Sequence, residues 1–138
     1  MTRRPNLNIH LWRYIGLVIK CWCLVLAVRI FLSITSHKTI LKQIQSVRRS
    51  PKNNRHPLLF VRAVKRASRF VPKASCLTQA LAVKWLMARA NQDCTLRIGV
   101  SPDPKTGMKA HAWVIHDGAV IIGGDEENFS TFRPITDL

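Results

Sequence analysis

The hydrophobic positions of this chain change period near residue 92: before it they recur every three or four residues, and after it they alternate. The run LWRYIGLVIKCWCLVLAVRIFLSITS, residues 11–36, predicts a long first helix. Arg13, Lys20 and Arg29 interrupt it, and the charge-free stretch from Cys21 to Val28 is short. A membrane span needs about 20 predominantly apolar residues, and a central charge costs about 2.5–3.5 kcal/mol. Read as one narrow polar stripe, the three charges favour a helix packed on protein, then a membrane-surface helix, with a true span last. Ile40, Leu41, Ile44 and Val47 predict a second amphipathic helix over 38–49, and SPKNNRHP, residues 50–57, is a loop. In LLFVRAVKRASRF, Leu59, Phe60, Ala63, Val64 and Ala67 share one face of a third helix that Pro72 brings to an end.

CLTQALAVKWLMARA, residues 76–90, has strong helix formers and neither Gly nor Pro. Leu77, Ala80, Leu81, Lys84, Trp85 and Ala88 fall on adjacent strips, so most of this helix is expected to be buried. Ser75 stands as N-cap and Asn91 as C-terminal stop. CTLRIGV, residues 94–100, then reads as a strand, SPDPKTG as a connection, and KAHAWVIH–DG–AVIIGG as a hairpin turning on Asp117-Gly118. A helix followed by a three-stranded antiparallel sheet, with basic helices before it, makes the expected fold class α+β.

Composition adds an asymmetry. Of 22 Lys and Arg, 16 lie in residues 1–75, while all seven acids lie beyond residue 92. A polycationic first half points to an anionic partner, or serves solubility alone. There is neither zinc-finger spacing nor a basic-zipper heptad, and the aromatics are scattered, so nucleic acid is disfavoured. Cys21 and Cys23, two apart, fit neither a redox pair nor a zinc knuckle and are expected to be buried small hydrophobes. With no disulfide framework and no evident signal peptide, a reduced cytoplasmic protein is expected, with membrane association open.

Two residues carry candidate chemistry. Cys76 opens a helix, where unpaired N–H groups and the dipole favour a thiolate and could hold a developing oxyanion. Alternation on the strand puts Ala110, Ala112 and Val114 on one face and His111, Trp113 and Ile115 on the other, so His111 stands as the base such a nucleophile needs. With a three-residue hairpin loop (His116 to Gly118), Ile115 would pair with Ala119 and His111 would lie opposite Gly123. Asp125 would then be one diagonal step away, about 7–8 Å. Asp125 is the first choice for the orienting acid, Asp117 the second, with Glu126 and Glu127 also in reach. Cys94, at a strand start, is read as structural. No cofactor is implied, and His111 and His116, facing opposite sides, do not form a zinc pair.

The ordered set CLTQALAVKWLMARA, LRIGV and KAHAWVIHDGAVIIGG, approached by the basic VKRASRFVPKAS, resembles the lasso-peptide biosynthesis B protein in its transglutaminase-like leader-peptidase part. The likeness covers about the last half of the chain. It implies a papain-like core at 58–138 behind a basic helical region at 1–57, and removal of the leader from a ribosomally made precursor before a separate cyclase closes the macrolactam. Cys76 and His111 match the family's nucleophile and base. Where some members carry an Asp on the second hairpin strand this chain has Gly123, so the match for the acid stops there. The resemblance further implies a stand-alone peptidase that receives its precursor peptide from a separate leader-recognition protein. The basic first half would dock that protein, the cyclase or a membrane-bound exporter. An amidase or acyl transferase of the same fold, or a non-catalytic basic binding protein, are the competing expectations.

Overall fold

In α1 (Leu7–Ile34), Leu17, Cys21 and Val25 come one turn apart and form a single buried stripe. That stripe packs on α2 (Pro57–Ser68) and α3 (Cys76–Arg89), and all three helices share one hydrophobic core. A computed structural model describes residues 7–35, 39, 42, 56–105, 107–124 and 132–137. Most of the expected helix over 38–49, including Ile40, Leu41, Ile44 and Val47, lies outside the described residues.

Pro57 opens α2 because a first helical residue needs no intrahelical N–H donor. His56 caps it, its Nδ1 accepting from Leu58 N at 3.3 Å. Phe60, Val61, Ala63, Val64 and Ala67 are buried, while Arg62, Lys65, Arg66 and Arg69 remain exposed. In α3 the buried set is Thr78, Ala80 to Val83 and Met87, and Leu77, Lys84, Trp85 and Ala88 are half-buried. The helix stops at Ala90, and Asn91 takes the left-handed φ of 54° that suits Asn after a helix.

Four antiparallel strands follow: β1 (Thr95–Asp103), β2 (Gly107–His116), β3 (Ala119–Ile122) and β4 (Arg133–Asp137). Their order is β3-β2-β1-β4. The fold is therefore α+β as expected, but the sheet has a fourth strand that the sequence pattern did not announce. Leu96, Ala112, Val114 and Ile122 close the core from the sheet side. β4 is held to β1 by backbone pairing and by Arg97, whose guanidinium grips both Asp137 carboxylate oxygens at 2.6 and 2.7 Å.

Two expectations for α1 need correction. Cys21 is fully buried, but Cys23 is exposed, because two helical residues are about 200° apart around the axis. The charges do not form one stripe either. Arg13 and Lys20 share a side, whereas Arg29, nine residues after Lys20, points about 180° away. Packing is also one-sided: Trp12, Ile15, Ile19, Trp22 and Ile30 remain exposed.

Candidate active site

The start of α3 is built by Ser75. Its backbone is extended, and its Oγ accepts from Thr78 N at 3.3 Å and lies 3.1 Å from Thr78 Oγ1. Thr78 is fully buried, so the cap is rooted in the core. Cys76 thereby becomes the first residue of α3, half-buried, at the end where a helix presents N–H groups without intrahelical acceptors. The other cysteines are different. Burial pushes the Cys21 thiol up to about 11. Burial likewise raises Cys94, against an opposing pull from Lys84, whose Nζ donates to the Cys94 carbonyl.

His111 lies in β2 opposite Gly99 of β1. Its ring stacks with Trp113 at 6.1 Å and meets Phe132 at a tilt at 5.5 Å, and those two rings lie 6.2 Å from each other. Gly99 makes this cluster possible: a Cβ there would meet Trp113 Cη2 at 2.8 Å and Phe132 Cβ at 3.1 Å. His111 Nε2 is hydrogen-bonded to the Gly123 carbonyl. A carbonyl only accepts, so Nε2 carries the proton and Nδ1 of the neutral ring keeps the basic lone pair. Gly123, at φ 113°, is required as glycine, since a Cβ would meet Trp113 Cβ at 2.5 Å and Ala112 O at 2.6 Å.

The hairpin register differs from the expected one. The turn takes two residues, Asp117 (φ 48°) and Gly118 (φ 78°), as a primed turn with both centres at positive φ requires. His116 then pairs with Ala119 and Ile115 with Val120, and a bulge brings Val114 opposite Ile122. Ile115 therefore does not pair with Ala119. Past the bulge, Gly123 is offset from His111 along the ladder yet still meets it through its carbonyl. Asp117 is occupied elsewhere, 3.3 Å from His116 Nε2, while His116 Nδ1 lies 2.6 Å from the Asp93 carbonyl. Asp125, Glu126 and Glu127 lie outside the described residues.

The 13 steps from Arg89 back to Cys76 span about 20 Å, and the four from Thr95 to Gly99 about 13 Å. α3 packs on both β1 and β2, the strand that carries His111. No hydrogen bond joins Cys76 to His111. Ala112 and Val114 meet the helices, which puts the His111 ring on the other face of β2, with Trp113 and Phe132. Gly99, Gly123 and Phe132 are site-building residues that sequence reasoning did not single out for this role. Only the glycines left a signal, as breaks in otherwise apolar strands.

Compared with known protein families, the chain matches the model of the transglutaminase-like superfamily over residues 22–137, which takes in Cys76, His111 and all four strands. No curated protein and no solved structure matches it.

Proposed function

We propose that this chain, which belongs to the transglutaminase-like superfamily, is a cysteine peptidase that removes the leader peptide from a lasso-peptide precursor. The superfamily includes cysteine peptidases and acyltransferases, and its chemistry is generally cysteine-based. The observation that carries the reading is Cys76 as first residue of α3, under the Ser75 cap, on a helix that packs against the strand of His111.

In this reading His111 Nδ1 takes the Cys76 proton and the sulfur attacks the scissile carbonyl carbon. The oxyanion is met by first-turn N–H groups of α3. Collapse breaks the C–N bond, and the His111 proton leaves with the amine. Water, deprotonated by the same ring, then splits the thioester and returns the thiol. The Gly123 carbonyl holds the ring in the tautomer this needs. In this reading the two must meet round the end of the layer, because the His111 ring lies on the face of β2 that it shares with Trp113 and Phe132. Asp125, the orienting acid expected from the sequence, is proposed to share the Nε2 proton with the Gly123 carbonyl. The partners proposed with this activity are the precursor peptide, a separate leader-recognition protein and the cyclase.

The test is leader release followed by mass spectrometry, with the precursor, its recognition protein, and wild type, Cys76→Ala or His111→Ala. Release by wild type alone is expected. Equal processing by wild type and Cys76→Ala would overturn the assignment. Conjugation of the released acyl group to an added amine, instead of hydrolysis, would move the chain to the acyl transferases.

A further inference from the structure

The outer side of α1 has no partner in the fold. At 100° per residue, Trp12, Ile15, Ile19, Trp22 and Ile30 fall within about 80° of one another, nearly opposite the stripe that packs on α2 and α3. They are exposed: Trp12 by 70%, Ile19 by 57% and Ile30 by 50%. Within His10–Ile34 an 18-residue window has a mean hydropathy of 2.3, and only 17% of that window is buried. Cations border this face on both sides. Arg13 and Lys20 stand on one flank, and Arg29, bonded to Ser33 Oγ at 2.8 Å, stands on the other.

Near the start of α1 a cavity of about 350 Å³ is lined by His10, Arg13, Tyr14, Leu17 and Leu59. The Arg66 guanidinium sits 5.7 Å above the Tyr14 ring at its border. That cavity opens on the α2 side of α1, but an apolar outer face flanked by cations, with no acid anywhere in residues 1–75, matches an anionic lipid surface. A protein partner would need neither the two-sided cationic border nor exposed Trp12 and Trp22, which suit the headgroup region.

We propose that α1 docks the protein on an anionic bilayer, lying in the plane of the interface with its outer face among the upper acyl chains. Arg13, Lys20 and Arg29 extend to headgroups. The helix is long enough to cross, at about 42 Å for 28 residues. Crossing would strip Leu17, Cys21 and Val25 from the core they share with α2 and α3, so the in-plane arrangement is the one compatible with the fold. This inference stands independently of the chemistry at Cys76.

The full chain would be sedimented with vesicles of phosphatidylcholine alone and of phosphatidylcholine mixed with phosphatidylglycerol. Capture by the anionic vesicles, weakened by salt, is expected, with a blue shift of tryptophan emission. Ile19→Glu combined with Ile30→Glu is expected to lower the partition more than about tenfold, since each lost apolar contact is worth at least that factor, while circular dichroism stays unchanged. Three results would overturn the proposal. One is wild type left in the supernatant with both vesicles. Another is unchanged binding by the double variant. The third is a wild-type dimer that the same substitutions dissociate, which would assign the face to a second copy. The emission shift of wild type decides the matter even if the variant misfolds.

Discussion

Replacing Gly123 by Ala sets two physical costs against each other, and Gly118→Ala separates them. Both glycines have positive φ, 113° and 78°. An L-residue in the left-handed region costs about 1–2 kcal/mol, which applies at Gly118, and φ 113° at Gly123, beyond that region, costs at least as much. Around Gly118 nothing lies within 4 Å of an added Cβ. At Gly123 the Cβ meets Ala112 O and Trp113 Cα, both at 2.6 Å. Those are backbone atoms that no rotamer change can move, so the end of β3 must shift away from β2. Overpacking of this kind adds about 1–3 kcal/mol. At roughly 3–5 °C per kcal/mol for a chain of this length, Gly123→Ala is expected to melt about 5–10 °C below Gly118→Ala. Thermal unfolding by circular dichroism measures the difference, with urea titration as a check. The displaced carbonyl is also the acceptor of His111 Nε2, so the ring's ¹⁵N shifts should change in Gly123→Ala and stay as in wild type in Gly118→Ala. Equal melting of the two variants would refute the steric argument, and unchanged His111 shifts would refute the role of the carbonyl.

Other outcomes follow from single residues. Gly16 lies within α1 with nothing within 4 Å of an added Cβ; Gly16→Ala should stabilise the fold by up to about 1 kcal/mol in urea titration. The Asp137 carboxyl is held below its usual range by the hydrogen bond from Arg97. A depressed folded value means its stabilisation is present above the unfolded carboxylate range, about pH 4, and is lost as pH falls through the folded value. The effect is small because the pair is exposed. Protection of β4 amides from hydrogen exchange should therefore drop on acidification, and less so in Asp137→Asn. In Cys76→Ala, iodoacetamide at pH 8 should label Cys23 quickly. Cys21 and Cys94 should react more slowly, since burial raises both thiols and Cys21 is fully buried. Fast labelling of Cys21 would contradict its place in the core.

Helix α3 was legible in the sequence because its signals agree: a Ser cap, strong helix formers and a positive-φ Asn at its end. β1 and the hairpin were legible through alternation and the Asp-Gly turn. The register was not, because a bulge changes the count of residues without altering the hydrophobic pattern. β4 escaped because RPITD carries Pro134 and two charges, and its place depends on Arg97 forty residues earlier. The helix start at Cys76 and the face of His111 could be read from local pattern alone. The aromatic cluster about His111 could not, since it needs Phe132 brought in from just before β4 and a glycine opposite the ring. The apolar run of α1 was plain, but which side it buries depends on α2 and α3.

The way the sheet ends bears on aggregation and on how a peptide can be held. On one side β3 has four residues and a bulge against β2. On the other, β4 includes Pro134, which lacks an N–H, between the charged Arg133 and Asp137. Short, bulged, proline-bearing and charged borders are poor templates for another strand. The four-stranded sheet therefore resists growing by edge-to-edge addition in a crowded cell. An extended peptide gains little by joining it as a fifth strand, so recognition of such a peptide falls to side chains and to the end of α3.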